Sequence, residues 1–480
     1  MSHSINTAGL SDIALLRGPV MVTGAGVSGV GAARLLIDLG VDAVLVDSDP
    51  TALNRASEAT GARTMSVEEA AGAMGEFSGV VTSPGWRPDS PLLVQAAEAG
   101  LEVVGDVELF YRLDRAGVFG APRTWMVVTG TNGKTTTTSM LAAMMKQAGF
   151  SALAVGNIGV SISEALLAPE RVDVLVAELS SFQLHWSSEL TPDVGVLLNL
   201  ADDHIDWHGS FAAYAEAKAK VLRGKVAIAG IDDEHVREQV ARLGITPVGF
   251  TLGEPEPGQV GVKDGQLVDR SGVAGDGDSV VIAPVEGIEP PGPAGVYDAL
   301  AAAAAARAEG ASPESIAQAL QDFHVAGHRG QIVGRWRDAS GEEIVAIDNS
   351  KATNPHAADS ALAGYDSVVW VAGGQLKGAE IDPLIQAHAH RLKAVALLGV
   401  DRELIASSVR RFAPDAVIMS TESTDPQSAI DEVVAWSVAQ ASGGDAVILA
   451  PAAASLDMFS GMGQRGTMFA EAIASMVDNT

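Results

Sequence analysis

Three stretches of this sequence predict an α/β fold. The apolar run 19–23 passes into Gly24-Ala25-Gly26-Val27-Ser28-Gly29 and then a helical pattern to about Leu39. The apolar run 125–128 leads through Gly130-Thr131-Asn132-Gly133 into an alanine- and methionine-rich helical pattern over 136–147. From residue 343 to about 450, short apolar strands alternate with helical patterns. Strand, tight loop and helix in series build parallel sheets with helices on their faces. At 480 residues the prior is about three domains. The expected architecture is therefore an N-terminal Rossmann-like domain, a central P-loop domain of the ATPase type and a C-terminal Rossmann-like domain.

Composition narrows the function classes. The 31 basic and 60 acidic residues give a formal charge of −29, which argues against nucleic acid or an anionic membrane as the main partner, since both need a basic face. A few local cations and helix N-termini still suffice for an anionic substrate. There is no cysteine, hence no disulfide framework, thiolate nucleophile or thiolate metal site. That is compatible with a reducing cytoplasm. The segment 1–18 lacks a basic flank leading into a long apolar core, so no signal peptide is expected. No run reaches about 18 apolar residues, so no membrane span is expected. The alanine run 299–306 is followed by Arg307 and Glu309 and reads as a helix packing closely through small side chains.

In chain order, Gly24 to Gly29 is GxGxxG between a strand and a helix, and the next strand, 43–46, ends at Asp47. Alone this predicts dinucleotide binding, with an NAD-dependent oxidoreductase as a rival reading. No histidine with a carboxylate partner stands nearby for the nicotinamide side. Two further strand ends are open for a ligand: 80–82 leads into Ser83-Pro84-Gly85, which also reads as an ordinary turn, and 103–104 leads into Gly105-Asp106. Residues 105–110 begin a helix leading out of the domain, with 113–122 as a connection.

The loop at 130–136 would point backbone N–H groups and a helix N-terminus at a phosphate, with Lys134 on the β/γ-phosphates and Thr135 on Mg²⁺. The general P-loop pattern wants a glycine where Val128 stands, and a Gly-Lys turn opening a helix is the alternative reading. Beyond it, 152–155 ends at Gly156-Asn157-Ile158-Gly159, and 172–177 ends at Glu178, which is placed either for Mg²⁺ or as a helix N-cap charge. The strand 194–198 precedes Asn199 and a cluster of Asp202, Asp203, His204, Asp206 and His208. His204 is a candidate metal ligand or phosphate contact; an ordinary acidic loop is the alternative. Lys218, on a helix over 210–222, is on its own a solvated lysine. Glycine, proline and acidic residues over 250–294 predict hairpins and loops without chemistry. Residues 323–329 are a candidate hinge. Polar groups follow further strand ends at Asp348-Asn349-Ser350-Lys351-Ala352-Thr353-Asn354, at 373–378 and at 454–459.

TGTNGKT, ELSSFQL, the DH loop followed by YxxAK, and His328-Arg329 followed by a lysine-bearing strand end occur in one order, and together they resemble the Mur ligases across nearly the whole chain. SKATN at 350–354, GGxxKG at 373–378 and ASLDMF at 454–459 are similar to the D-glutamate-adding branch of that family. The resemblance implies an ATP- and Mg²⁺-dependent amide ligase of peptidoglycan precursor synthesis. It would join D-glutamate to UDP-N-acetylmuramoyl-L-alanine through an acyl phosphate, in the cytoplasm and as a monomer. It implies domains at 1–105 for the UDP-sugar, 106–326 for ATP and 327–480 for the amino acid and part of the nucleotide.

Carried onto matching residues, Val27, Ser28, Ser83, Pro84, Gly85 and Asn157 would hold the UDP-sugar. Gly130, Thr131, Asn132, Gly133, Lys134, Thr135, Thr136, Arg329 and Asn349 would hold ATP. Thr135, Glu178, His204 and Lys218 would hold metal, Lys218 as a carbamate; Lys134, Glu178, His204 and Lys218 would carry the chemistry. Thr353, Lys377, Ser455 and Leu456 would hold D-glutamate. Splitting these motifs between 130–218 and 329–456 implies that domain closure completes the site. Three positions depart from the family pattern: its GxHN segment is Gly292-Pro293-Ala294-Gly295, the aspartate before SKATN is Asn349 with Asp348 beside it, and the phenylalanine after ASLDMF is Met462. A folylpolyglutamate synthase-type ligase shares the P-loop but not the N-terminal unit with GAGVSG and SPG. A non-catalytic nucleotide-binding scaffold is a further alternative.

Overall fold

Three β-sheets flanked by helices carry the chain in a computed structural model, which describes residues 7–275, 277–325 and 327–477. The first sheet has five parallel strands in the spatial order Arg63–Met65, Ala43–Val46, Val20–Thr23, Gly79–Thr82, Val103–Gly105. Its central strands are buried along their whole length. Helices on both faces require that, and it is why these strands read as unbroken apolar runs.

The second sheet has nine strands. Its parallel part runs, in spatial order, Val248–Phe250, Val226–Gly230, Val194–Leu197, Thr124–Thr129, Val174–Glu178, Ala152–Gly156. Gln259–Lys263 pairs parallel with Val248–Phe250. Gln266–Asp269 and Val280–Pro284 then extend that edge antiparallel. The two-residue turn Asp264-Gly265 makes the first of these hairpins, as the Asp-Gly pair leads one to expect. The third sheet runs Gln331–Arg337, Glu343–Asp348, Ala446–Leu449, Val368–Gly373, Leu392–Leu398, Val417–Ser420, with only the first strand antiparallel.

By packing, one compact unit comprises Met1–Pro284 and Leu300–Ala319, and holds the first two sheets; the other comprises Val285–Ala299 and Leu320–Thr480. The expected boundary at 326/327 falls on Ala326, which lies outside the described residues. The P-loop helix starts two residues earlier than its apolar pattern, at Lys134, and ends at Gln147. The segment expected to connect domains over 113–122 is helical to Arg115. That helix, Asp106–Arg115, is anchored by buried acids. Glu108 accepts the N–H groups of Ser188, Glu189 and Leu190 at 3.2, 2.8 and 3.2 Å and Arg112 Nε at 3.0 Å. Asp114 accepts Arg123 N, Arg123 Nη1 and Trp125 Nε1 at 2.9, 2.7 and 3.0 Å.

Candidate functional site

Four neighbouring parallel strands of the second sheet end on the same edge and deliver one residue group each. The strand Thr124–Thr129 leads into the loop 130–133. Val128, where a glycine was missing from the general pattern, is a buried strand residue in register with Glu178 and Val196. The loop therefore begins later, at Gly130. Gly133 caps the helix in the left-handed region, at φ +82°. Asn199, from the end of Val194–Leu197, clamps the loop: its Oδ1 accepts Asn132 N at 2.8 Å and its Nδ2 donates to Asn132 O at 3.2 Å. Thr131 Oγ1 lies 2.8 Å from Tyr214 OH and accepts Ala201 N at 2.9 Å. Lys134 folds back over the loop and donates to Gly130 O at 3.0 Å and Thr131 O at 2.7 Å. Thr136 is buried in the first turn of the helix.

Glu178 closes the next strand, and Thr135 Oγ1 donates to its Oε2 at 2.7 Å. The expected pair of oxygen ligands is thus in contact. Asn157, exposed at the end of the adjoining strand, donates its backbone N–H to Glu178 O at 3.0 Å. Among the described residues no group of three or more His, Cys, Asp or Glu is arranged to hold a metal.

Lys218 is not a solvated helix lysine. It is 2% exposed and donates to Gly130 O at 2.7 Å and Thr129 Oγ1 at 3.2 Å, with Nζ 5.0 Å from the centre of the Tyr214 ring. Burial, reinforced by the charge of Lys134 and opposed by Asp203 and Glu178, pushes its pKa well below the ordinary lysine value. His204 stands in the left-handed region at φ +53° and lays its ring 4.6 Å from Phe182, with Asp203 Oδ2 at 3.5 Å. His208, from the same loop, is pushed down to about 4 by burial and by the neighbouring His185, His204 and Lys218, so it is neutral at pH 7; its Nε2 lies 3.0 Å from Ser181 Oγ.

In the first sheet, Asp47 braces the glycine loop: its Oδ2 accepts Ala25 N at 2.7 Å and its Oδ1 accepts Asp49 N at 3.0 Å. Val27 and Ser28 line a cleft of about 230 Å³ together with Asn157, Asp106 and Gln183. Ser83, Pro84 and Gly85 lie outside the lining of that cleft. Ser83 N donates to Thr23 O at 3.0 Å, which ties the SPG turn to the strand before the glycine loop, and its hydroxyl has no partner among the described residues.

The second unit gathers the other motifs. The strands Glu343–Asp348, Ala446–Leu449 and Val368–Gly373 are neighbours, so the loops carrying Thr353, Ser455 and Lys377 leave one edge side by side. Gln375 and Ala454 exchange backbone hydrogen bonds at 2.8 and 2.9 Å. Ser455 is buried, Leu456 is exposed, and Lys377 is exposed with φ +54°. Arg329 and Asn349 also lie in this unit. Asn349 N donates to Leu449 O at 2.8 Å, and the neighbouring Asp348 is wholly buried with Oδ2 2.5 Å from His328 Nδ1.

Sequence reasoning gave no role to the residue that ties these loops together. Arg465, 0% exposed, donates Nε to Ser350 Oγ at 3.0 Å, Nη2 to Ser350 O at 2.9 Å, and Nη1 to Gly373 O and Ala453 O at 3.2 Å each. Gly466 beside it leaves room for the His328–Asp348 pair: a Cβ there would meet His328 Nδ1 at 2.1 Å and Asp348 Oδ2 at 2.7 Å, so a larger residue must displace one of them. Arg465→Met strands these acceptors in a dry interior. It is expected to cost on the order of 3 kcal/mol, and an unchanged thermal midpoint would contradict that.

Comparison with known proteins shows the family. A family model described as the Mur ligase middle domain matches residues 128–306. The chain is 63% identical to UDP-N-acetylmuramoylalanine–D-glutamate ligase of Corynebacterium diphtheriae over 96% of each chain. It is 45% identical to the ligase of the same name from Nocardia farcinica, over 96% of this chain and 98% of that one. Among solved structures, a pseudomurein peptide ligase type C from Methanothermus fervidus has a TM-score of 0.56 at 17% identity, covering 96% of this chain and all of that one. UDP-N-acetylmuramate–alanine ligase from Thermotoga maritima has a TM-score of 0.52 at 18% identity, with the same coverage. The two structures support the fold; the full-length relatives decide the family. A P-loop clamped by Asn199, a buried Lys218 against its first carbonyl and the chain-long identity converge, and the chain belongs to the UDP-N-acetylmuramoylalanine–D-glutamate ligases of the Mur ligase family.

Proposed function

We propose that the chain is the ATP-dependent ligase joining D-glutamate to UDP-N-acetylmuramoyl-L-alanine in peptidoglycan precursor synthesis. One observation carries the reading: 63% identity over 96% of both chains to a ligase named for that reaction. In this reading residues 1–105 serve the UDP-sugar, 106–326 ATP, and 327–480 the amino acid and part of the nucleotide. The enzyme acts in the cytoplasm as a monomer, without a nucleic-acid partner.

The L-alanyl carboxylate attacks the γ-phosphorus of ATP. A carboxyl–phosphate bond forms, the bond to the β-phosphate oxygen breaks, and ADP leaves. The N–H groups of the loop 130–136 and the Lys134 ammonium cradle the phosphates. To do so, Lys134 exchanges its bonds to Gly130 O and Thr131 O for phosphate oxygens. The D-glutamate amine, held by Thr353, Lys377, Ser455 and Leu456, then attacks the acyl carbon. The tetrahedral intermediate expels inorganic phosphate, and the amine loses a proton. Val27, Ser28, Ser83 to Gly85 and Asn157 hold the nucleotide-sugar, and Arg329 and Asn349 complete the nucleotide contacts.

Magnesium fits the donor set. Thr135 Oγ1 and Glu178 Oε2 are hard oxygens 2.7 Å apart, and a Mg²⁺ site needs one or two such ligands, with phosphates and water for the rest. Lys218 as a carbamate and His204 would serve a second position. When bound, the metal neutralises phosphate charge. For the carbamate, the neutral Lys218 amine adds to CO₂: an N–C bond forms and a proton goes to solvent. Depression of the Lys218 pKa enlarges the reactive amine fraction at pH 7.

The test is phosphate release from ATP with UDP-N-acetylmuramoyl-L-alanine plus D-glutamate, L-glutamate, another amino acid or nothing. Release that needs both the nucleotide-sugar and D-glutamate, with a matching amide product, is expected. Release with a different amine would keep the ligase chemistry and overturn the roles of Thr353, Lys377 and Ser455. Absence of release from folded protein with Mg²⁺ would overturn the reading.

A further inference from the structure

Asp106 has no part in the function proposed above. It opens the helix Asp106–Arg115 at the end of the first sheet, is 6% exposed and lines the cleft with Val27, Ser28, Asn157, Ser163 and Gln183. The nearby Ser28 hydroxyl and Val107 amide favour its charged form against burial, yet Oδ1 has no hydrogen-bond partner among the described residues. The other two acids of the same helix give the contrast. Glu108 and Asp114 are equally buried, and each accepts at least three donors from the chain. An acid that only anchors this helix is saturated; Asp106 lines a cleft and keeps one buried acceptor without a donor among the described residues. A buried acceptor without a donor is costly unless a ligand supplies one.

We infer that Asp106 is a specificity residue for the sugar: its Oδ1 accepts an O–H or amide N–H from the saccharide of the bound sugar nucleotide. The inference rests on the cleft being the sugar-nucleotide site. A diphosphate is the wrong partner, because a carboxylate repels it, whereas hydroxyl and acetamido groups are neutral donors. Burial pushes the Asp106 pKa up to about 6, so the group is still mostly an acceptor carboxylate at pH 7.5. Around it stand Val27 and Ser28, which open the helix after the glycine loop, Asn157 at a strand end of the second sheet, and Gln183 on the helix Ser181–His185.

The experiment is calorimetric binding of UDP-N-acetylmuramoyl-L-alanine and of UDP to the full chain, wild type, Asp106→Ala and Asp106→Asn, with KM for all three substrates. Asp106→Ala is expected to weaken the sugar nucleotide about 10- to 100-fold, leave UDP within about twofold, and leave KM for ATP and D-glutamate unchanged. Asp106→Asn, which keeps the shape and a weaker carbonyl acceptor, is expected to fall between, and it carries the test if the alanine variant does not fold. Unchanged affinity for the sugar nucleotide in a folded variant would overturn the inference and leave the ligase reading intact. Equal loss for UDP and the sugar nucleotide would show a merely structural role and overturn it too. A wild-type chain that binds neither would overturn the ligase reading along with it.

Discussion

Replacing Lys218 with alanine is expected to lower kcat about 10³-fold while the protein stays folded, the scale seen when a preorganised charge-stabilising group is removed. The side chain lies wholly inside, and its nitrogen donates to the carbonyl that opens the P-loop. A charged ammonium there is opposed by burial and by Lys134. The neutral amine that burial favours is the form that can add CO₂ and become an anionic oxygen donor. A short carboxylate such as acetate should enter the space left by the side chain and restore part of the activity. Circular dichroism separates loss of chemistry from loss of fold. A Lys218→Ala enzyme with full activity would remove the carbamate from the mechanism; an inactive but folded enzyme that no carboxylate rescues would reduce Lys218 to a brace for Gly130.

Lys134→Met is expected to be as severe, about 10³-fold in kcat, with a smaller effect on nucleotide binding. Methionine keeps most of the stem and removes the charge. The ammonium donates to Gly130 O and Thr131 O, so it is held over the loop. Its contribution is to be greatest where negative charge concentrates on the transferring phosphoryl group. The check is a pre-steady-state comparison of ATP binding and acyl-phosphate formation. Equal losses in both would mean that Lys134 only binds ground-state ATP.

What was legible in the sequence was what lies at strand ends. Asn157, Glu178 and the loops with Thr353, Lys377 and Ser455 stood out because glycine and polar residues interrupt apolar runs there. What was illegible lay on helices. Lys218 shares a buried face with Tyr214, Ala215 and Ala217, and Arg465 shares one with Gly466, Phe469, Ala472 and Ile473. A cation at helical spacing on an otherwise apolar stripe is a signal, but a strand-end search passes over it, and Lys218 was found only through family resemblance. Asp47 shows what position alone leaves out: its carboxylate accepts Ala25 N and Asp49 N, a bracing of the glycine loop that only the structure shows. Strand order was equally hidden, since nothing local says that Ala446–Leu449 sits between two strands that precede it in the chain.

That order has a consequence for biosynthesis. The ribosome delivers Glu343–Asp348 and Val368–Gly373 early, but they are not neighbours; the gap between them is filled by Ala446–Leu449. Until that strand is synthesised the two have no common neighbour, and Arg465, which ties Ser350, Gly373 and Ala453 together, follows later still. Domains fold as units during synthesis, and here the unit cannot close before its final strand is inserted. The first unit, whose sheets need only Leu300–Ala319 beyond residue 284, is free to fold while the second is still being translated.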